Sequence, residues 1–301
     1  MILKSKSILI AALSIVLAAS LLLASCGSET GPDLSAPNQS AAETNNRSGS
    51  ENQLPENPET AEPVEDSDLE LQLPRIGLYA GKGSWDVNVE TLKHYFDAHD
   101  IEWSEFDEQD AVSLDLITYY DIIWFPGGFA AEYKNLIPDH SNIRAFVEAG
   151  GAFIGSCAGA YYAGDILRWH GTDHEYPLKL FDGKSVGPLA GQVAWGEIGT
   201  FYLEEDHPVN DGFGEVLEIY YFDGPYFEAY DSDSLQVLAR YAVNNEPAVI
   251  AGRYGSGKYL LFGPHPELGG YTQDSPGFNF EGGEGARWDW LHASLLWFFN
   301  W

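Results

Sequence analysis

Short apolar runs that end in small residues alternate with segments of helical periodicity in the first half of the region 74–301. Residues 87–99 place apolar side chains at helical spacing, and residues 143–149 do so up to the pair Gly150-Gly151, which is typical of a helix end. Strands that alternate with helices in this way predict an α/β domain whose parallel sheet is covered on both faces. The runs predicted as strands are 75–80, 101–106, 121–125 and 152–155.

The second half of the region is richer in β-strand patterns. The segment 252–258 nearly matches a phosphate-binding Walker A loop, but it lacks the final Ser or Thr and a strand follows it, so we interpret it as the turn of a hairpin. The predicted elements are strands at 201–204, 216–222 and 235–241, a hairpin of 248–254 with 259–262, and a terminal helix over 288–299.

The composition excludes several classes of protein. The 301 residues include 15 Lys and Arg against 46 Asp and Glu, a net charge of −31, so we expect no nucleic-acid partner. Two cysteines are too few for a disulfide framework or a multi-cysteine metal module. No metal-ligand spacing stands out, and Asp173-His174-Glu175 is interpreted as a solvated loop. We therefore expect neither a metal nor a cofactor.

The first 25 residues have the pattern of an export signal. Lys4 and Lys6 precede an apolar run over 8–23, and Leu23-Ala24-Ser25-Cys26 follows. This tetrapeptide resembles the lipobox of bacterial lipoproteins, which implies a lipidated Cys26 as the mature N-terminus. An ordinary signal peptide or a membrane anchor is the alternative, although the run is shorter than the about 20 residues that a spanning helix needs. We expect an exported domain, anchored through acylated Cys26 to the bilayer of the cell membrane or the outer membrane.

Residues 26–73 form a predicted disordered linker. From residue 27 onward this segment has no aromatic residue and carries eleven acids against Arg47 alone, so it cannot bury enough apolar surface to fold. Self-repulsion should extend it and lift a domain at 74–301 away from the lipid. The domain is itself strongly acidic, for which a salt-adapted host or an acidic extracellular surface are two explanations.

Cys157 lies in a Gly-x-Cys-x-Gly sequence, Gly155-Ser156-Cys157-Ala158-Gly159, directly after a predicted strand. This pattern is analogous to a nucleophile elbow, in which a sharp turn presents the nucleophile and glycines let strand and helix backbones approach. The helix N-terminus favours the thiolate, which is the nucleophilic form. The alternative is a buried structural cysteine beside two packing glycines.

Two further segments follow predicted strands and complete a catalytic arrangement. The amides of Gly127 and Gly128, in the turn after 121–125, are candidates with that of Ala158 for an oxyanion hole, although the segment also fits a plain turn between strand and helix. In Gly263-Pro264-His265-Pro266-Glu267, His265 is the candidate base and Glu267 its orienting acceptor. The alternative for His265 is a surface loop.

The elbow cysteine and the later His-Pro-Glu resemble the class I glutamine amidotransferase superfamily. The strings PGGFAAEYKNL, IRAFVEAGGAFIGSCAGAYYA, YFDG and GPHPEL are more specifically similar to the N-terminal domain of eukaryotic-type biotin-protein ligases and related bacterial proteins. This resemblance covers essentially all of 74–301. It implies a flavodoxin-like sheet and gives the positions of a catalytic triad to Cys157, His265 and Glu267.

The chain departs from the superfamily pattern after the elbow. Glutamine amidotransferases often continue with a Gly-His-Gln type sequence that helps to hold glutamine, whereas Ala160-Tyr161-Tyr162 stands here. We also expect no synthetase domain to receive ammonia and no biotin-ligase catalytic domain. Neither glutamine-dependent synthesis nor biotin attachment is therefore expected.

Aromatic residues are concentrated near these motifs. Trp85, Tyr161, Tyr221 and Tyr226 are our candidates for the walls of a substrate cleft, with packing in the core or at the rim as the alternative. The wider set also includes Trp124, Tyr162 and Phe227.

The sequence predicts a membrane-anchored hydrolase that cleaves an amide-type bond through a thioester at Cys157. Its substrate would be a small-molecule or peptide amide at the cell envelope. A non-catalytic module that keeps the cleft for a ligand or partner is the alternative, and a redox-sensing thiol is a third hypothesis.

Overall fold

A computed structural model describes residues 74–189, 191, 193–231, 233, 235–270 and 285–301. The predicted signal peptide, Cys26 and the linker lie outside these residues. Within the described part of the chain, no helix is long and apolar enough to cross a membrane.

The strands alternate with helices in the first half and dominate the second. The strands are β1 (Ile76–Tyr79), β2 (Trp103–Phe106), β3 (Ile122–Phe125), β4 (Ala152–Ser156), β5 (Gly164–Trp169), β6 (Thr172–Glu175), β7 (Phe181–Gly187), β8 (Glu197–Leu203), β9 (Val216–Tyr221), β10 (Tyr226–Ala229), β11 (Gln236–Tyr241), β12 (Pro247–Tyr254) and β13 (Gly257–Phe262). The helices are α1 (Asp86–Ala98), α2 (Asp110–Ser113), α3 (Leu116–Tyr119), α4 (Ala130–Leu136), α5 (Ser141–Glu148), α6 (Ala158–Ala163) and α7 (Trp288–Asn300).

The main sheet has nine strands in the order β2-β1-β3-β4-β13-β12-β11-β8-β9. The pairs from β2 to β13 are parallel, and the pairs from β13 to β9 are antiparallel. Every residue of β1, β3 and β4 is buried, as expected for strands covered on both faces. The predicted α/β class, with a parallel sheet and a β-rich second half, is confirmed.

Helices cover the two faces of this sheet with separate apolar cores. On one face, Leu92 of α1 and Trp290 of α7 pack with side chains of β1 and β3. On the other face, Tyr133 of α4 and Phe146 of α5 pack with the alternate side chains of the same strands. The predicted hairpin around 252–258 is confirmed as the antiparallel pair β12–β13, and the terminal helix as α7.

The sequence patterns missed a second sheet of four strands, in the order β10-β7-β5-β6. One of its strands, β7, contains Gly183 and Gly187, which weaken a strand pattern. The predicted loop at Asp173-His174-Glu175 is wrong, because these residues belong to β6. All four residues of β6 are exposed, so no apolar alternation marks the strand, and Asp173 pairs with Arg168 of β5.

Candidate active site

Cys157 lies in the sharp turn between β4 and α6. Its backbone has φ 49° and ψ −100°, a conformation that a residue with a side chain adopts only under constraint. A Cβ at Gly155 would overlap the backbone of Gly159, and a Cβ at Gly159 would overlap the carbonyl oxygen of Phe125. The turn therefore requires both glycines, and it presents the thiol at the end of β4.

Two strands that pair in parallel bring the thiol and the imidazole to one edge of the sheet. β4 pairs with β13 in a register that ends at Ser156 opposite Phe262, and the Cys157 amide donates to the Phe262 carbonyl oxygen (2.8 Å). His265 follows three residues later, where its own amide donates to the Tyr220 carbonyl oxygen (2.9 Å). Its position is thus fixed by β13, which precedes it, and by an isolated bridge to Tyr220 of β9.

His265 and Glu267 form a fully buried pair. The Nδ1 atom of His265 lies 2.7 Å from Oε1 of Glu267, and neither side chain is exposed to solvent. Nε2 of His265 remains as the ring nitrogen available to the thiol, and it has no hydrogen bond of standard geometry among the described residues. The Cys157 thiol instead donates to the carbonyl oxygen of Phe222 (3.3 Å).

The surroundings of His265 favour its protonated form. Burial by itself lowers the pKa of this imidazole, but the charge of Glu267 and the interactions with Cys157 and Glu267 outweigh burial and raise the pKa to about 10. His265 is therefore suited to hold the proton that a thiol loses when it becomes a nucleophile.

Asn88 is a member of the site that the sequence analysis missed. Its Nδ2 donates to Glu267 Oε1 (2.6 Å), and its Oδ1 accepts from the Gly127 amide (2.5 Å). The side chain is fully buried in α1. A signal was present, since Asn88 stands four residues before Leu92 on the apolar face of the helix. A polar side chain at such a position needs buried partners.

The contact with Asn88 changes the predicted oxyanion hole. Gly127 was one of its three candidates, but its amide is already bound and cannot donate to a substrate oxygen. Gly127 serves another purpose, since a Cβ there would lie 2.6 Å from Cε1 of His265. The amides of Gly128 and Ala158 make no hydrogen bond among the described residues, and both residues border the cavity described next.

A cavity of about 780 Å³ opens beside Cys157 and His265. Of the four predicted cleft residues, Trp85 and Tyr161 line it. Sequence patterns did not identify the rest of its aromatic wall, because these residues come from separate loops and from the missed second sheet. Those further aromatic residues are Phe129, Trp169, Tyr176, Trp195 and Phe222.

Tyr221 and Tyr226 do not line the cavity, which corrects the predicted cleft. Tyr221 is fully buried, where its hydroxyl accepts from the Leu189 amide (2.7 Å) and donates to the Gly224 carbonyl oxygen (3.1 Å). Tyr226 lies on β10 with its hydroxyl 3.3 Å from the Glu228 carboxylate. Both tyrosines thus support the structure around the site rather than face a ligand.

Comparison with known proteins identifies the relatives of this chain. The family model described as biotin-protein ligase, N terminal, matches residues 117–281, more than half of the chain. The biotin–protein ligase of Schizosaccharomyces pombe is 27% identical over 159 residues, which are 47% of this chain and 24% of the yeast protein. The match therefore spans about a quarter of that relative's length.

Solved structures resemble the fold at low sequence identity. A crystal structure of a glutamine amidotransferase superposes with a TM-score of 0.50 and 18% identity, covering 75% of this chain and 99% of that one. A glutamine amidotransferase from Thermotoga maritima gives 0.44 and 14%, covering 65% and 76%. The chain belongs to the biotin-protein ligase N-terminal family, and its domain has the fold of the class I glutamine amidotransferases.

Proposed function

We propose that this domain is a cysteine-dependent amidohydrolase. The observation that carries the proposal is that Cys157 and His265 lie at one wall of a large cavity, with the buried Glu267 carboxylate 2.7 Å from His265 Nδ1. The glutamine amidotransferase fold is consistent with this chemistry, since amide hydrolysis is the activity that the fold implies by analogy. The proposal does not include attachment of biotin or synthesis with ammonia.

In the proposed reaction, His265 holds the proton that Cys157 has lost, and the thiolate sulfur attacks the amide carbonyl carbon. The amides of Gly128 and Ala158 stabilise the oxyanion that forms. The carbon–nitrogen bond then breaks, and His265 returns the proton to the leaving amine, which leaves an acyl thioester on Cys157. Water attacks the thioester while His265 takes a proton from it, and the thiol and a carboxylic acid are released.

A non-catalytic binding module is the second candidate. It is favoured by one observation, the hydrogen bond of the thiol to the Phe222 carbonyl oxygen rather than to His265. In this case the cavity would hold a ligand without cleaving it.

The proposal extends to the location of the domain. The tetrapeptide that ends at Cys26 supports export and lipid attachment at the cell envelope, with the acidic segment before the domain as a tether.

Alkylation of Cys157 separates the two candidates. In a Cys26→Ser background only Cys157 can react, and iodoacetamide at pH 7 should modify it faster than it modifies a free model thiol. His265→Ala should slow this reaction by about tenfold or more, because the thiol then loses its proton acceptor. His94→Ala on the exposed face of α1 is the matched control and should leave the rate unchanged.

An unreactive Cys157 that is also insensitive to His265→Ala would contradict the hydrolase and leave the binding module. Reversible oxidation of Cys157 without hydrolysis of any amide would instead indicate a redox sensor.

A further inference from the structure

The walls of the cavity are aromatic well beyond its reacting end. Trp85, Phe222 and Trp195 form consecutive edge-to-face contacts, with ring centroids 5.2 and 5.0 Å apart. Phe129 and Trp195 are 66% and 51% exposed, so much of their apolar surface is open to solvent beside the cavity. Such rings bind flat apolar groups by stacking and by edge contacts.

The size of the cavity also bears on the ligand. Its volume of about 780 Å³ lies within the range of about 300–1,000 Å³ typical of sites for drug-sized molecules. Free glutamine would leave much of the aromatic wall in contact with water. The cavity is therefore better matched to an amide with a larger apolar body.

The lysine that lines the cavity already has partners within the protein. Lys134 Nζ donates to the Glu175 carbonyl oxygen (2.7 Å) and lies 5.1 Å from the centre of the Tyr176 ring. No arginine lines the cavity in the described part of the chain. The carboxylate of an amino-acid substrate would thus meet no guanidinium fork that could bind it in a bidentate manner.

Asp223 is the acidic residue at this cavity, and it lies next to the nucleophile in the fold. The carbonyl of the preceding residue, Phe222, accepts from the Cys157 thiol, and the carbonyl of Asp223 itself accepts from the Tyr161 hydroxyl (2.9 Å). The Asp223 carboxylate makes no hydrogen bond or ion pair with any described residue. Burial raises its pKa, an effect that the charge of His170 opposes.

We propose that the cavity selects amides that combine an aromatic body with a protonated amine, and that the amine pairs with the Asp223 carboxylate. This assignment of a substrate class rests on the proposed hydrolase function. A cation at Asp223 gives that carboxylate a partner that it lacks among the described residues, while the aromatic body covers the exposed rings of Phe129 and Trp195.

Binding to a Cys157→Ala variant tests this selection without requiring catalysis. The probes are L-tryptophanamide, its uncharged match 3-(indol-3-yl)propanamide, and L-glutamine, measured by calorimetry at pH 6.5 so that the α-amine is protonated. Tryptophanamide should bind at least about tenfold more tightly than either of the other two. Asp223→Asn in the same background should remove its advantage over the uncharged match.

Glu228→Gln is the matched control, since it removes one acid from the neighbouring strand β10 without altering the cavity wall. This variant should keep the tenfold advantage. Equal binding of the two indole amides, an advantage that survives Asp223→Asn, or tighter binding of glutamine would overturn the proposal.

A domain that binds these amides but does not hydrolyse them would give a result distinct from those that overturn the selection. In that case the probes bind with the expected order, but the chain with intact Cys157 releases no ammonia from tryptophanamide.

Discussion

At the scale of single residues, Asn88 connects Glu267, the acid of the proposed triad, to the turn after β3. Its amide donates to Glu267, and its oxygen accepts from the Gly127 amide, so one side chain holds both groups in place. The Oε2 atom of Glu267 has no hydrogen-bond partner among the described residues, so the described hydrogen bonds hold this carboxylate through Oε1 alone. Asn88 is therefore a positioning residue for His265 through Glu267.

Asn88→Ala should lower the free energy of unfolding by about 2 kcal/mol, because it leaves the buried amide of Gly127 without an acceptor. It should also slow alkylation of Cys157 and shift the pH dependence of that reaction, since Glu267 then holds His265 less firmly. Urea unfolding and iodoacetamide kinetics measure the two effects. Thr91→Ala, at another fully buried polar residue of α1, is the control that should change stability alone. An unchanged pH profile for Asn88→Ala would contradict the positioning role.

The raised pKa of His265 makes stability depend on pH. Its pKa is about 10 in the folded domain against an ordinary value of 6.5, mainly because Glu267 favours the charged ring despite burial. The stabilisation is fully present below pH 6.5 and is lost as the pH rises through about 10. The difference in unfolding free energy between the wild type and His265→Gln should therefore be largest at pH 6 and fall steadily towards pH 10. A difference that stays constant over this range would show that the pKa of His265 is not raised.

The residues of the site differ in how readily sequence patterns identify them. Cys157, His265 and Glu267 each lie in a short motif directly after a strand, so local patterns identify them. Asn88 contacts Glu267 from 179 residues away, and no local pattern shows that contact. Tyr221 was assigned to the cleft because it lies close to a motif in the sequence. Such proximity does not show which side of a strand faces a cavity, so the assignment was wrong.

At the scale of secondary-structure elements, the packing of α6 against β3 and β4 leaves no room for side chains at the elbow glycines. Gly159→Ala would place a methyl group against the Phe125 carbonyl oxygen, which is backbone and cannot move aside. We expect a loss of at least about 2 kcal/mol in unfolding free energy and slower alkylation of Cys157.

Gly199→Ala is the control for that change, because the nearest atoms to a Cβ on β8 are side-chain carbons of Phe201 at 3.2 and 3.4 Å. Chemical unfolding of both variants provides the measurement. Equal stability of the two would indicate that strand and helix can separate at the elbow without cost.

The elements that sequence patterns predicted are those with strong apolar periodicity. The buried strands β1, β3 and β4 and the amphipathic helices α1 and α5 were identified because burial on one or both faces dictates their composition. The second sheet was missed because two glycines weaken the pattern of β7 and because β6 is wholly exposed. Its strand β10 pairs with β7 from about forty residues away, and no local signature marks that pair.

At the scale of the whole molecule, both sheets contribute residues to the cavity. The main sheet supplies the thiol and the imidazole at the ends of β4 and β13. The second sheet supplies a wall through Leu167 and Trp169 of β5 and His174 of β6. The reacting groups thus follow strands of the main sheet, while the second sheet contributes only part of the wall, so that part can change while the reacting groups stay in place.

The predicted anchor gives a prediction for the full chain. When the protein is expressed in a bacterium that processes lipoproteins, it should sediment with the membrane fraction, and Cys26→Ser should move it to the soluble fraction. Cys157→Ser is the matched control and should remain with the membranes, because that thiol lies in the folded domain. Membrane association that is unaffected by Cys26→Ser would contradict lipidation at this residue.

The parallel ladder between β4 and β13 has a consequence for the energetics of the proposed hydrolysis. Backbone hydrogen bonds, not the ligand, hold sulfur and imidazole in mutual register. Their rotational and translational freedom is thus lost once, when the chain folds, and need not be lost again in each encounter with a substrate. Affinity for the ligand can accordingly be devoted to orienting the scissile bond.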